Sequence, residues 1–266
     1  MIPASDRTVE ERITHLSNLP LMTRGNSATD GGHLIISQAE LDGMELDAAG
    51  VAKFIKPYIG SYELINGKRR YCFWIEDNAV EDALTYPEIR SRVKNVSVFR
   101  RESKKKATQK AADWPHRFDE RKPLPTSASI IVPVISSENR DFIPASLVEK
   151  GTVVSNKVFS IDSNNLLCLS IICSSMNRAW VQTVCAKLRT DYSYTNTLGW
   201  NTFPVPKLTE KNKQDLTKCS EDILLAREAH FPNTIADLYK PEDMPDDLRA
   251  AHERNDEVLE RIYIGR

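Results

Sequence analysis

Between Arg90 and Lys122 a helix-like apolar pattern runs through a dense band of positive charge. Val93, Val96, Val98 and Phe99 offer an apolar side, and lysines and arginines occupy most of the remainder. Twelve basic side chains there stand against four acidic ones, a net +8 in a chain whose formal total is −1. The rest of the chain must therefore sum to −9. A phosphate backbone is the partner that such a local cationic surface fits best. The overall pI of about 6.5 hides this asymmetry.

A chain of 266 residues is long enough for one large domain or for a domain with an appendage. No apolar run approaches the roughly 20 residues that span a bilayer. The opening Met1-Ile-Pro-Ala-Ser-Asp lacks the basic and apolar regions of a signal peptide, so a cytoplasmic protein is expected. The five cysteines form no Cys-x-x-Cys pair and sit beside no histidine at zinc-ligand spacing. Cys168 and Cys173, inside the apolar run Leu166-Leu-Cys-Leu-Ser-Ile-Ile-Cys, read as buried free thiols.

Pattern along the chain predicts an α+β protein. Residues 1–24 are polar and irregular, a lead-in segment. A turn-rich stretch from Gly25 leads into a strand at Leu34-Ile-Ile, and residues 38–54 carry helical spacing (Leu41, Met44, Ala48, Val51). Asn66-Gly67 signals a hairpin between Tyr62-Glu-Leu-Ile and the strand from Arg69 to Ile75. Residues 80–108 read as helix, broken near Pro87. Strands are expected at Ser129-Ile-Ile-Val-Pro-Val-Ile-Ser, Phe142-Ile-Pro, Val153-Val-Ser-Asn and Leu166–Cys173. A helix capped by Ser174 or Ser175 follows, with an apolar face running to Leu188. Asp191 to Pro204 is a loop rich in aromatic and amide side chains. Residues 207–266 then form a two-helix C-terminal region of net −4: Thr209 caps the first helix, and the second has near-heptad spacing interrupted by Asn255. The expected division is lead-in 1–24, a mixed α/β domain 25–206, and the helical region 207–266.

Motifs for self-sufficient catalysis are missing. There is no Gly-x-Gly-x-x-Gly, Walker loop, Gly-x-Ser-x-Gly or His-Glu-x-x-His. The five histidines are scattered. Glu138-Asn139-Arg140-Asp141 has nuclease-like residue types, but the convergent carboxylates and lysine of a metal nuclease cannot be assembled around it.

An ordered series of segments resembles the target-recognition region of the MmeI-like (type IIG/IIL) restriction–modification DNA methyltransferases. It begins with Asn26-Ser-Ala-Thr-Asp-Gly-Gly-His-Leu-Ile-Ile-Ser. The stretch from Tyr58-Ile-Gly-Ser-Tyr to Tyr71-Cys-Phe-Trp-Ile comes next, then Phe99-Arg-Arg-Glu-Ser-Lys-Lys-Lys-Ala-Thr. Ile131-Val-Pro-Val-Ile-Ser-Ser-Glu-Asn-Arg-Asp-Phe-Ile-Pro, Ser174-Ser-Met-Asn-Arg-Ala-Trp, and Asp191-Tyr-Ser-Tyr through Asn201-Thr-Phe-Pro complete it. The resemblance covers roughly residues 20–266. It implies a mixed α/β target-recognition domain with a C-terminal helical appendage, the specificity end of a bacterial adenine methyltransferase. The family's methylation motif, S-adenosylmethionine loop and nuclease are absent from the sequence, so no catalysis is expected of this chain alone. No cofactor is expected in it either, with S-adenosylmethionine and Mg confined to the full enzyme.

The resemblance also distributes roles. Phosphate contacts fix register, while a few side chains reach base edges. Glu138 and Arg140, with Asn139 between them, are the first candidates for base readout, since family recognition residues fall at a matching Glu-x-Arg. On an extended strand the two would point the same way. Arginine on guanine and glutamate on cytosine would then read one G·C pair. The alternative is a surface ion pair of little energetic weight.

Lys105 and Lys106 are further base candidates, with Lys104, Arg100, Arg101 and Lys110 at phosphates; the alternative is a solvated helical face. Lys68, Arg69 and Arg70 form a second basic site. Trp74 and Trp180 read as core, Trp200 and Phe203 as packing; Tyr192 and Tyr194 stay open. Thr29-Asp-Gly-Gly reads as a specific turn beside the absent methyltransferase domain.

The expected partners are double-stranded DNA and that domain, with no membrane. Two other readings remain at this point. One is a protein-interaction subunit that docks a catalytic partner through the Leu248–Leu259 face of its last helix. The other is a small hydrolase with an unrecognised site.

Overall fold

The computed structural model describes residues 8–45, 47–163 and 165–265; residues 1–7 of the expected lead-in lie outside these. Packing divides the chain into two compact units that interleave in sequence. The first comprises Arg24–Ser127 and Glu149–Val158; the second comprises Ala128–Val148 and Phe159–Arg266 with the residues up to Thr23.

The first unit is built on a mixed sheet in the order Ile35–Ser37, Arg70–Phe73, Ile55–Ile59, Val153–Val154. The first three strands pair antiparallel and the last runs parallel to Ile55–Ile59. Ile36, Cys72, Phe73 and Val153 of these strands enter a core shared with Leu34, Phe54, Trp74 and Phe118. The helix Pro87–Arg101 opens with proline at its first turn, where the missing N–H matters least. It buries Ile89, Val93 and Val96 at helical spacing. Val98 and Phe99, expected on that apolar side, are exposed instead.

Three expectations for this unit need correction. The pattern over residues 38–54 is two helices, Gln38–Asp42 and Ala48–Phe54, each started by its own cap (Ser37 and Asp47). Tyr62-Glu-Leu-Ile is helix rather than strand: Ser61–Asn66 is helical and stops at Gly67, whose φ of 60° is left-handed. An Asn-Gly hairpin and a glycine helix stop both need positive φ, so the dipeptide alone does not choose between them. The helix expected through residue 108 ends at Arg101, and a short one resumes at Lys106–Lys110.

In the second unit the strands Val158–Ile161, Ser129–Pro133 and Ser146–Val148 lie side by side in that order. A smaller antiparallel sheet joins Lys187–Leu188, Asp191–Ser193 and Ile135–Ser136. The expected strand at Phe142-Ile-Pro is irregular chain. Leu166–Cys173, read as strand, is the helix Leu166–Ile172, buried from Leu167 onward. An element apolar on every side shows no periodicity by which helix and strand can be told apart. The next helix, capped by Ser174 as expected, ends at Val184, and Leu188 lies exposed on a strand instead.

Thr209 caps Glu210–Ala229 as expected, and Asp246–Tyr263 closes the chain's helical part. Leu216, Ile223, Leu248, Val258 and Leu259 of these helices enter one core with Leu167, Ile171 and Trp200. The Leu248–Leu259 face is thus consumed inside the unit, which removes it as the docking surface of the interaction-subunit reading. Asn255, the heptad interruption, is buried and bonds Ser170, its Nδ2 donating to the Ser170 carbonyl at 3.0 Å.

The aromatic-amide segment packs rather than projects. Tyr192, Tyr194, Trp200 and Phe203 are all buried. Its polar side chains strap down the lead-in: Asn196 donates to the Met22 carbonyl (2.8 Å), Trp200 to that of Pro20 (2.8 Å) and Asn201 to that of Arg12 (2.7 Å). Trp74 lies in the core of the first unit, and Trp180 packs half-buried against the core of the second. All five cysteines are free thiols, four of them buried. No helix among the described residues is long and apolar enough to cross a membrane.

Candidate nucleic-acid interface

The first unit carries the basic band. Ile89, Val93, Val96 and Arg100 follow one another at helical spacing, so Arg100 falls on the buried stripe of its helix. It is fully buried, with Nε donating to the Thr29 carbonyl at 2.9 Å. Nη1 and Nη2 reach the carbonyls of Ala111, Trp114, Ala28 and Arg117 at 2.7–3.2 Å. The expectation of Arg100 at a phosphate is therefore wrong: its donors are spent on five backbone acceptors inside the fold.

What Arg100 holds is the frame of the basic surface. Its carbonyl partners come from the Thr29 turn and from the chain after Lys110. In the turn, Thr29, Gly31 and Gly32 have positive φ, and Asp30 accepts the Leu34 N–H at 2.6 Å. A side chain at Gly31 would meet the Phe99 ring at 2.8 Å, so the turn must approach the helix with glycine there.

The remaining basic residues divide by their neighbours. Arg92 pairs with Glu88 (2.9 Å) and Glu40 (3.0 Å), and Arg117 with Asp77 (3.0 Å). Arg121 pairs with Glu76 (2.6 Å) while lying over the Trp74 ring at 4.1 Å. These cations serve the fold. Arg101, Lys104, Lys105, Lys106 and Lys110 are exposed and hold no ion pair among the described residues. They cluster where the long helix ends and the short one resumes. Thr108, two positions after Lys106, is buried. At the other basic site, Lys68 and Arg69 are exposed just past the Gly67 helix stop, whereas Arg70 bonds the buried Glu63 carboxylate at 3.0 Å.

The second unit carries Glu138, Asn139 and Arg140. Strand Ile135–Ser136 ends before them, and residues 137–140 form a turn closed by the Arg140 N–H on the Ser137 carbonyl at 3.2 Å. The alternation that would send Glu138 and Arg140 to one side of an extended strand does not hold there. Both residues sit on this turn instead.

The turn is held from beneath. The Glu138 N–H donates to Asp191 Oδ1 at 3.4 Å, and the Arg178 guanidinium lies near the Glu138 carbonyl and above the Tyr192 ring. Sequence reasoning assigned neither Asp191 nor Arg178 a role; strand pairing brings Asp191 to the turn, and the helix ending at Val184 brings Arg178. Burial pushes the Arg140 pKa down from its ordinary value and Asp191 partly offsets this, but an arginine stays charged through such changes.

After the turn, the chain is fixed to the terminal helices. Asp141 faces Arg249 at 3.4 Å, Phe142 stacks on His252 with centroids 4.0 Å apart, and Arg227 donates to the Ala145 carbonyl at 2.6 Å. Arg227 and His252 share the Tyr239 hydroxyl, at 2.7 Å from Arg227 Nε and 2.7 Å from His252 Nε2. Burial drives the His252 pKa well below its usual value, so the ring is neutral at pH 7. Asn139 and Arg140 border a concavity completed by Tyr239 and Lys240.

Residues 3–207 match the family described as MmeI, target recognition domain, and residues 208–266 the family described as MmeI, C-terminal domain. DNA methyltransferase A of Bacillus subtilis (strain 168) is 36% identical over 255 residues, covering 96% of this chain and 29% of that protein. The structure of the Type IIL restriction–modification enzyme MmeI in complex with DNA superposes with a TM-score of 0.93 at 29% identity, covering 98% of this chain and 35% of that one. The chain thus spans about a third of the length of these relatives. Matched in order from residue 3 to residue 266, it belongs to the MmeI family, as a target recognition domain followed by a C-terminal domain.

Proposed function

We propose that this chain recognises a specific sequence in double-stranded DNA and presents it to an adenine methyltransferase domain of the same restriction–modification enzyme. The observation that carries the reading is the likeness of nearly the whole chain, at a TM-score of 0.93, to an enzyme held in complex with DNA. In this reading methyl transfer with S-adenosylmethionine, and any Mg-dependent cleavage, belong to other parts of the enzyme.

Both units contribute contacts. Lys104, Lys110 and Arg101 neutralise phosphates, with Lys68 and Arg69 as a second patch, which supplies affinity without sequence information. Lys105 and Lys106 stand beside them as base candidates. On the 137–140 turn, Arg140 offers two parallel donors to guanine O6 and N7, and Glu138 an acceptor to the amino group of the paired cytosine. Asn139, at the apex between them, is the third reader.

A randomised duplex pool retained by the chain and then sequenced tests the proposal. An enriched motif is expected. Arg140→Ala should relax one position of it at a cost of ~1–3 kcal/mol and leave the other positions intact. Retention with no enriched motif, or a motif unchanged by Arg140→Ala, would count against the base-reading role.

A further inference from the structure

The small sheet of the second unit places another element beside the 137–140 turn. Ser136 pairs with Tyr192, and Tyr192 in turn with Lys187; Leu188 and Asp191 form the last pair before a two-residue loop, Arg189-Thr190. Since Asp191 reaches the Glu138 N–H at 3.4 Å, this loop emerges at the same end of the sheet as Glu138 and Arg140. Neighbouring strands lie about 4.8 Å apart, so two strands span roughly 10 Å, or about three base-pair rises of DNA.

The loop is built to expose charge. Residues 186–190 are all exposed, and neither Lys187 nor Arg189 holds an ion pair among the described residues. Lys187 rests over the buried Tyr192 ring, its Nζ 5.7 Å from the centroid, which fixes where its stem leaves the sheet. Arg189 has φ of 59°, at a hairpin position that favours glycine or asparagine. A long cationic side chain held in that conformation is the kind of local strain found at working surfaces. The carboxylate within the hairpin itself, Asp191, is engaged with the backbone of the neighbouring turn rather than with either cation.

We infer that the 187–191 hairpin is a second DNA-contacting arm, with Lys187 and Arg189 on phosphates that flank the base pair read from the 137–140 turn. The inference rests on the DNA-recognition reading above and extends it to residues with no base-reading part.

The test is fluorescence anisotropy of a labelled random-sequence duplex with the whole chain, from about 50 to about 200 mM salt. Arg189→Gly removes the guanidinium while relaxing the positive φ, so it keeps the hairpin; Lys187→Ala is the companion variant. Each should make the slope of log affinity against log salt shallower by about 0.9, the value of one phosphate contact. The motif enriched from a randomised pool should stay the same, and Arg189→Gly should be no less stable than the parent. If the parent binds with a salt slope and both variants match it, the arm is overturned while the recognition reading stands. A parent without salt-dependent binding overturns both. A relaxed motif with an unchanged slope overturns the phosphate role.

Discussion

At the scale of single residues, Arg100 shows how a basic band is divided between structure and surface. A guanidinium with no exposure and five carbonyl partners is a cross-brace, tying the Thr29 turn to the chain between Ala111 and Arg117. Arg100→Ala should lower stability by ~3–5 kcal/mol, because it leaves those acceptors unpaired around a cavity. Arg100→Lys should recover only part, since an ammonium lacks the planar fork. Urea denaturation of the two variants measures this; a loss under ~1 kcal/mol for alanine would rule out the brace. Arg100 was expected at a phosphate, although its place on one helical stripe with Ile89, Val93 and Val96 signals burial. The turn at 137–140 was not legible in the sequence, since Ser137 to Arg140 carries no proline or glycine to announce it. Its supports Asp191 and Arg178 lie some forty to fifty positions away in sequence, where no local pattern couples them.

At the scale of elements, the break between Pro87–Arg101 and Lys106–Lys110 gathers exposed positive charge. Lys104, Lys105 and Lys106 sit in or beside it with no folded partner, so their role is separable from stability. Replacing all three by glutamate should shift unfolding by no more than ~0.5 kcal/mol, as is usual for surface sites. DNA affinity should fall steeply, and the salt slope should be shallower by about 0.9 for each phosphate no longer neutralised. Anisotropy and denaturation on the same preparation separate the two effects. Unchanged binding would return these lysines to the role of a solvated face. Element types were legible where one face alone is buried, as in Pro87–Arg101, Glu210–Ala229 and Asp246–Tyr263. They were misread where burial is all-round, at Leu166–Ile172, and at Gly67, where a left-handed residue serves a helix stop as readily as a hairpin.

At the scale of the whole molecule, the order of the chain and the order of packing differ. The sequence changes character after Pro206, and the family match also changes at residue 208. Yet the helices beyond that point fill the core that surrounds Leu167, Ile171 and Trp200. They also brace the segment that follows the 137–140 turn through Arg249, His252 and Arg227. A chain ending at residue 206 would leave Leu167–Ile172 against solvent and strand Ser170, whose hydroxyl bonds Asn255. Hydrogen exchange should therefore show the amides of Leu166–Ile172 losing their protection in the shortened chain. Those of Arg70–Phe73, in the other unit with its own core, should keep theirs. Protection retained at Leu166–Ile172 would make residues 207–266 a true appendage. Protection lost there would mean that the C-terminal region belongs to the recognition scaffold, and that substitutions in it can alter base reading without touching DNA.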